Sequence, residues 1–377
     1  MIESTLAPTT PAAALRGLCG GRVFLPGDPG YDAARTPWNV AVDQRPVAVA
    51  VPTSVEEVVE VVRAAAAAGL RVVPQSSGHN AGPLAGRFGD AVLLRLSDFT
   101  GVSIDPGNRV ARVVGGTLWQ QVVEAAAAHG LAVMHGSSPD VAAAGYTLGG
   151  GLSWYGRAHG LACNQLVAAD VVLADGSLVR TDADHQPELF WALRGGGGNF
   201  GVVTALEIRL LPVTEVHGGM LLWDGARAGE VSTAWAGWTH GLPDEVTTAL
   251  RLLSVPPLPE LPEFIRGRQL VVIDGAILAG DERAAELLAP LRALAPEIDT
   301  FARVPAPALT RIHLDPEGPT PGVSGHLLLD DFESDTAAAL VASAGAESGT
   351  TLRSAEIRHL DGALGRPDAA GGALNRL

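Results

Sequence analysis

One histidine in this sequence lies inside a loop whose other residues are small or carry amides. The loop covers residues 74–82 and reads PQSSGHNAG. Free backbone N–H groups after a strand form a concave site that binds anions such as phosphates. Because neutral imidazole adds little to anion binding, His79 in this loop predicts chemistry on the bound ligand. The alternative is an ordinary turn with a surface histidine, since short Gly/Ser loops are common between elements.

A second loop of similar composition lies at residues 135–140 and reads HGSSPD. It follows residues 131–134, an apolar run that predicts a strand. Thr117, three residues before Gln120, predicts the cap of the helix in front of that strand. The order of helix, strand and Ser-rich loop therefore occurs twice, and we expect two ligand-facing loops in two sub-layers.

A strand–helix–strand unit precedes the first loop. Residues 46–52 form an apolar run bounded by prolines, and Thr53 with Glu56 predicts a capped helix that Gly69 ends. Residues 70–73 predict the second strand of a parallel pair. The first loop would then lie at the carboxyl end of a strand, where open α/β sheets bind ligands. The predicted buried face of the helix consists of Val55, Val58, Val59, Val62 and Ala66.

A glycine cluster at residues 194–201 contains a formal G-x-G-x-x-G pattern. A dinucleotide-binding fingerprint requires a strand before the pattern and a helix after it. Here a helical segment, 188–193, comes first and an alternating strand pattern, 202–210, comes after. We therefore reject the nicotinamide-binding Rossmann hypothesis. A hairpin with an Asp-Gly turn is predicted before this cluster, over 167–180.

The pattern changes after Pro212, which predicts a domain boundary. Strands and helices alternate with short connections from there on, which is typical of an α+β domain. The predicted strands are 218–223, 247–255, 270–278 and 326–329, and the predicted helices are 226–238 and 282–294.

Composition narrows the class of function. Acidic residues outnumber basic ones by 41 to 26 in 377 residues, giving a net charge of −15. This balance argues against nucleic acid and against an anionic membrane surface as partners. Two cysteines give neither a disulfide framework nor a zinc pattern, and no signal peptide is visible. We expect a cytoplasmic monomer or homodimer with no metal site.

Read together, these motifs resemble the FAD-binding domain of the p-cresol-methylhydroxylase type, in the berberine-bridge-enzyme-like branch of the FAD-linked oxidases. The resemblance runs from Tyr31 to about Pro212. It is carried by YDAAR at 31–35, WN at 38–39, VVPQSSGHN at 72–80, HGSSP at 135–139, LGGG at 148–151, GL at 160–161 and WALRGGGGNFG at 191–201. It implies an α+β fold with a two-subdomain FAD-binding domain over 42–213, after a lead-in over 1–41. A substrate domain with an antiparallel sheet would cover 214–377.

The resemblance also implies roles for single residues. His79 matches the position that bonds covalently to the 8α-methyl group of the flavin. The loop around it would bind the pyrophosphate, and residues 137–145 would lie beside the ribityl chain and the isoalloxazine ring. The other residues implied to bind FAD are Gln75, Ser76, Ser77, Gly78, Asn80, Ser137, Ser138, Val141, Gly145, Tyr146, Gly149 and Val203.

Three of these positions distinguish this chain from other members. Ser138 stands where many relatives carry a cysteine that attaches the flavin a second time. A hydroxyl is too weak a nucleophile to replace a thiolate, so a single covalent link through His79 is expected. Val141 matches a position that controls the approach of oxygen to the flavin in relatives. A valine at this position resembles the oxidases more than the dehydrogenases. Tyr146 matches a position often held by histidine in doubly linked members, and a packing role is an equal alternative.

The implied function is oxidation of an alcohol, sugar or amine-type small molecule, with molecular oxygen as the second substrate. Family members continue with a return segment carrying a tyrosine motif near the flavin. This sequence ends at Leu377 and has no tyrosine after Tyr155. We therefore leave the catalytic base unassigned and keep a truncated flavin-binding protein without turnover as the alternative.

For the remaining candidate residues, the sequence favours a structural role over a functional one. His313 and Asp315 have a spacing that could hold a metal, but a solvated surface pair is the expectation. Trp235 and Trp238 are expected in the core, and Cys163 is expected to be a small buried hydrophobe.

Overall fold

The computed structural model describes residues 10–369 and 371–377. Residues 1–9 of the predicted lead-in lie outside the described part. Three β-sheets follow one another along the chain, and helices pack against each of them. The architecture is α+β, as predicted. All pairs of the second and third sheets are antiparallel, whereas the first sheet also contains parallel pairs.

The first sheet has four strands in the order β1-β2-β4-β3. Its elements are β1 (Val23–Phe24), α1 (Tyr31–Arg35), β2 (Ala48–Ala50), α2 (Val55–Ala67), β3 (Arg71–Gln75) and β4 (Ala91–Arg95). Strands β2 and β3 are both parallel to β4 and lie on either side of it. The predicted parallel pair is therefore parallel but not adjacent. Residues 91–94 of β4 are wholly buried because β4 occupies the centre of the sheet.

The second sheet has five strands in the order β5-β6-β9-β7-β8, and all its pairs are antiparallel. The elements are β5 (Val102–Asp105), β6 (Val110–Val114), α3 (Trp119–Ala127), α4 (Ala143–Leu148), α5 (Gly156–His159), β7 (Leu166–Val172), β8 (Leu178–Asp182), α6 (Pro187–Leu193) and β9 (Val202–Arg209). The predicted hairpin is confirmed as β7 and β8. The helix and strand around the glycine cluster are confirmed as α6 and β9.

The third sheet is built from six strands. Five lie in the order β13-β10-β12-β11-β15, and β14 also pairs with β10. The elements are β10 (Glu215–Asp224), α7 (Ala228–Thr239), β11 (Val246–Ser254), β12 (Gln269–Ile277), α8 (Asp281–Arg292), β13 (Ile298–Asp299), β14 (Ala302–Pro305), α9 (Ser334–Ala344) and β15 (Ser354–Arg358). The predicted limit at 213/214 falls between the second and third sheets, whereas the limit at 41/42 separates β1 from β2 of the first sheet. The domain limits stay a prediction.

Two predicted strands are wrong. Residues 131–134 are extended, but only Ala132 forms a bridge, to Leu211. Residues 326–329 are an exposed coil. Both segments have the right residues for a strand but no neighbouring strand to supply a ladder of hydrogen bonds.

Both predicted helix caps are one residue too early. Ser54 caps α2 by accepting the N–H of Glu57 at 3.3 Å. At α3, the N–H of Leu118 donates to Oε1 of Gln121 at 3.1 Å. At α2 the sequence fits the capping pattern in two adjacent registers, Thr53 with Glu56 and Ser54 with Glu57. At α3 the cap residue Leu118 has no side-chain acceptor, and only the Gln121 side chain takes part. The buried face of α2 is accordingly Val58, Val61, Val62 and Ala65.

The third sheet packs its two faces against different partners. Leu250, Ile273 and Trp223 face helices α7 and α8 in one hydrophobic cluster. Ala249 and Ala276 project to the other face and pack against residues of the second sheet's region, including Met134 and Tyr155. Residues that alternate with the helix-facing ones therefore point toward the first two sheets.

Within the described residues, no helix has both the length and the apolar composition needed to cross a membrane.

Candidate functional site

A cavity of about 1530 Å³ lies where loops of the first two sheets meet the third. All thirteen residues predicted to bind FAD line it: Gln75, Ser76, Ser77, Gly78, His79, Asn80, Ser137, Ser138, Val141, Gly145, Tyr146, Gly149 and Val203. The structure thus brings together loops that are far apart in sequence. Their contacts with a flavin stay a prediction.

The first loop has the properties of an anion site. Within residues 10–369 and 371–377, the N–H groups of residues 77–80 donate to no protein acceptor. Gly78 has a φ of +84°, and a Cβ there would lie 2.7 Å from Cβ of Pro37. Only glycine fits this backbone conformation without strain. The loop therefore presents unpaired amide donors to a cavity, as a phosphate-binding loop does.

His79 is held on three sides. Its ring stacks on Trp38 with centroids 4.0 Å apart and planes 18° from parallel. Nδ1 lies 2.8 Å from Oγ of Ser77, and Nε2 lies 3.4 Å from Oδ1 of Asp140. Burial lowers the pKa of His79, although the charge of Asp140 opposes this shift. The imidazole is therefore neutral at pH 7 and fixed in one orientation.

The second loop connects the cavity to the third sheet's region. Oγ of Ser137 donates to Oδ2 of Asp315 at 2.7 Å, and Oγ of Ser138 donates to Oδ1 of Asp140 at 2.7 Å. The N–H of Gly318 donates to Oδ2 of Asp140 at 2.8 Å. Two carboxylates from different parts of the chain thus accept hydrogen bonds from neighbouring serines of this loop.

Two buried residues shape this loop from behind. His135 is 1% exposed, and its Nδ1–H donates to the carbonyl of Gly136 at 2.6 Å. Burial lowers its pKa to about 4. Tyr146 donates its hydroxyl to the carbonyl of Leu152, and burial raises its pKa. A Cβ at Gly136 would lie 2.9 Å from the Tyr146 ring, so both the packing role and the cavity-lining position of Tyr146 are observed.

The glycine cluster also lines the cavity, through residues 197–201. Helix α6 precedes this glycine cluster and strand β9 follows it, so the cluster is not a Rossmann fingerprint, as predicted. The cluster's place at the cofactor cavity was not predicted. The available signal was the same as in the first loop, a run of residues without bulky side chains.

A polar cluster on the third sheet was missed altogether. We call it the sheet cluster, and it consists of Arg251, Asp274, His313, Asp315, Glu356 and Arg358. Asp274 and Arg251 form an ion pair and are 0% and 7% exposed. Nδ1 of His313 lies 2.9 Å from Oδ2 of Asp274, off the direction of a linear hydrogen bond. The expectation that His313 belongs to a solvated surface is wrong, because the side chain is buried under Trp154 and beside Asp274.

The sheet cluster extends from this buried pair to the cavity. Nε2 of His313 lies 3.8 Å from carboxylate oxygens of both Asp315 and Glu356. Glu356 pairs with Arg358 at 2.6 Å. Asp315 and Arg358 line the large cavity. Burial acts to lower the pKa of Arg358, but the charge and hydrogen bond of Glu356 and the charges of Tyr146 and Asp315 together raise it. Among the described residues, no group of His, Cys, Asp and Glu is arranged to hold a metal ion.

Two structural interpretations are confirmed. Cys163 is fully buried, and burial raises its pKa to about 11, so it has no thiolate character at neutral pH. Trp235 is 1% exposed in the core of the third sheet, and Trp238 packs against the same core.

Comparison with known proteins agrees with this geometry. Residues 46–182 match a protein family described as an FAD binding domain. The chain is 37% identical over 205 residues to (R)-6-hydroxynicotine oxidase of Paenarthrobacter nicotinovorans, covering 54% of this chain and 44% of that one. It is 35% identical over 189 residues to glucooligosaccharide oxidase of Sarocladium strictum, covering 50% and 38%. The chain thus spans less than half the length of these two relatives.

Solved structures share the fold. The 6-hydroxy-D-nicotine oxidase of Arthrobacter nicotinovorans superposes with a TM-score of 0.70 at 28% identity, over 79% of this chain and 65% of that one. The BBE-like 1 protein of Physcomitrella patens gives 0.67 at 25% identity, over 79% and 62%. Glucooligosaccharide oxidase of Acremonium strictum, described with a 6-S-cysteinyl, 8α-N1-histidyl FAD, gives 0.63 at 26%, over 75% and 58%. Residues 46–182 are therefore an FAD-binding domain of the kind found in FAD-linked oxidases, within a fold shared with the berberine-bridge-enzyme-like proteins.

Proposed function

We propose that this protein is an FAD-dependent oxidase whose flavin is tethered through His79. Its substrate is an alcohol, a sugar or an amine-type small molecule, and molecular oxygen is the final electron acceptor. The observation that carries the proposal is the convergence of all thirteen predicted cofactor residues on one cavity. The names of the relatives, a hydroxynicotine oxidase and oligosaccharide oxidases, support the same substrate classes.

The residues that line the cavity have the chemistry that FAD binding requires. The unpaired N–H groups of residues 77–80 would hold the pyrophosphate, and the glycines at 197–201 would allow close approach of the cofactor. His79 would be the single covalent attachment. Ser138, hydrogen-bonded to Asp140, supplies no thiolate for a second one. When bound, the flavin supplies the acceptor for a substrate hydride.

The sheet cluster is the proposed acceptor for the substrate's proton. Asp315 lies at the cavity wall, and His313 stands 3.8 Å behind it with Asp274 on its far side. A carboxylate at the wall takes the proton from a hydroxyl or amine, and the imidazole behind it stabilises the change in charge. Arg358 lies in the same wall, where its charge favours the substrate's oxygen in the deprotonated form.

The proposal is tested with purified yellow protein under anaerobic conditions. A panel of alcohols, sugars and amines should include compounds that bleach the flavin absorbance, and admission of oxygen should restore it with release of hydrogen peroxide. Asp315→Asn should slow the bleaching at least tenfold, because the proton acceptor is lost. Reduction by dithionite but by no compound of the panel would contradict the proposal. In that case the protein binds flavin without turnover.

A further inference from the structure

The carboxylate of Asp140 contacts four groups from separate residues. Its Oδ2 accepts the indole Nε1–H of Trp38 at 2.6 Å and the N–H of Gly318 at 2.8 Å. Its Oδ1 accepts the Ser138 hydroxyl at 2.7 Å and faces Nε2 of His79 at 3.4 Å. Burial acts to raise the pKa of Asp140, but these three hydrogen bonds together lower it. An ionised carboxylate is therefore fixed in place and directed at one nitrogen of His79.

The position of this carboxylate selects the tautomer of His79. A neutral imidazole carries one N–H and one lone pair. With an ionised carboxylate opposite Nε2, the tautomer with the proton on Nε2 is favoured, because a lone pair there would be repelled. Nε2 is closed off from solvent and from the cavity, and it has no hydrogen-bond acceptor of good geometry within the described residues. The lone pair then resides on Nδ1, which accepts from Ser77, a residue that lines the cavity.

We propose that Asp140 is the positioning residue that activates His79 for attachment of the flavin, because the tautomer that it selects leaves Nδ1 free to bond. This inference rests on the proposed tether. The 8α-methyl group would lose a proton to solvent, and its electron pair would pass through the flavin to oxygen as Nδ1 bonds to the 8α carbon. Positive charge would develop on the imidazole at that point, and the attraction between its Nε2–H and the Asp140 carboxylate 3.4 Å away would strengthen. Trp38 takes part twice, because it stacks on the ring and donates to the carboxylate that faces it. The arrangement is that of a nucleophile oriented and stabilised by a partly buried acidic partner.

The overall step balances with oxygen as the oxidant. One C–N bond forms between Nδ1 and the 8α carbon, while one C–H bond of the methyl group and the Nε2–H bond break. The two hydrogens and two electrons that are released reduce one molecule of oxygen to hydrogen peroxide. The proton on Nε2 leaves through Asp140.

The first measurement is the covalent fraction of flavin in variants expressed with the full chain. Purified proteins are run on a denaturing gel under ultraviolet light, and intact masses are recorded. Asp140→Asn keeps the shape and the contact with Trp38 but loses the charge. We expect it to bind FAD, remain yellow after gel filtration, and lose the covalent fraction at least tenfold. Asp140→Glu should recover part of it.

Asp315→Asn is the matched control. Asp315 also acts electrostatically on His79 but makes no direct contact with the ring. Its covalent fraction should stay within twofold of the unmodified protein. A wild-type covalent fraction in Asp140→Asn, or an equal loss in Asp315→Asn, would overturn the inference. Covalent flavin that persists in His79→Ala, or its absence from the unmodified protein, would instead overturn the tether itself.

The second measurement identifies the bonded nitrogen. The flavin-bearing peptide is isolated after proteolysis, and a long-range carbon–proton NMR spectrum is recorded. Attachment at Nδ1 gives a correlation from the 8α-methylene protons to Cγ of the imidazole. A correlation to Cδ2 would mean attachment at Nε2 and would contradict the assignment.

Discussion

The two halves of this molecule build their parts of the cavity in different ways. The FAD-binding half contributes whole loops, in which several consecutive residues face the cavity, as in residues 75–80. The third sheet's half contributes side chains from separate parts of the chain, such as Arg358 from β15 and Asp315 from the segment before α9. A loop leaves its backbone polar groups unpaired and available to a ligand. A sheet uses its backbone in its own ladder and offers only alternate side chains.

This difference predicts that the sheet cluster affects stability more than the loops do. Replacing Asp274 by alanine leaves Arg251 buried without a partner, so we expect a loss of about 3–5 kcal/mol in the free energy of unfolding. Urea denaturation at pH 7 measures it. The double variant Arg251→Met with Asp274→Leu should recover most of the loss, because it leaves no buried charge. A loss below about 1 kcal/mol in Asp274→Ala would show that the pair is not desolvated.

The second prediction compares one histidine from each half, the buried His135 and the partly exposed His359. His135 has a pKa of about 4 in the folded protein, below its usual 6.5, because burial disfavours the charged ring. As the pH falls below 6.5 the unfolded chain binds the proton first, so stability present above pH 6.5 is lost as the pH approaches 4. The expected loss is about 3 kcal/mol from this residue.

Measuring the free energy of unfolding from pH 7 to pH 4 tests it, with His135→Gln as the comparison. The variant should have a flatter curve over this window. His359 in the second half also has a pKa lowered to about 4, but its ring is partly exposed, so His359→Gln should flatten the curve less. Equal curves for the unmodified protein and His135→Gln would exclude burial of a neutral His135.

The smallest effect on stability is expected in the cofactor loop. Gly78→Ala forces a side chain into a left-handed conformation and toward Pro37, at a cost of about 1–3 kcal/mol. Because the same residue holds the amide donors in place, the flavin content of the purified protein should fall about tenfold, more than the stability change alone implies. Absorbance of flavin per mole of protein measures this content.

Gly82→Ala is the control in the same loop, since a Cβ there meets no atom within 4 Å. It should leave the flavin content unchanged and shift the free energy of unfolding by no more than about 0.5 kcal/mol. A flavin content in Gly78→Ala equal to that in Gly82→Ala would remove the loop from the cofactor site.

Much of the FAD-binding half could be predicted from the sequence because its information is local. Free N–H groups, a left-handed glycine and a histidine among small residues are properties of one short segment, 74–82. The order of α6, the glycine loop and β9 was equally local, and it excluded the Rossmann hypothesis correctly. Local patterns were less reliable for caps, where Thr53 and Ser54 both fit, and for residues 131–134, where no partner strand was present.

The second half required the tertiary structure because its site depends on strand pairing. Register places Arg251 opposite Glu356, and Ala249 between Asp274 and Arg358, on the face away from α7 and α8. In the sequence these side chains are only single charges in strands, with no spacing that relates one strand to the next. The position of β4 between β2 and β3 and the contact of Asp140 with His79 were decided in the same way. The sequence alone determined which loops could bind a phosphate-bearing cofactor, whereas packing of the third sheet against them decided which acids and bases face it.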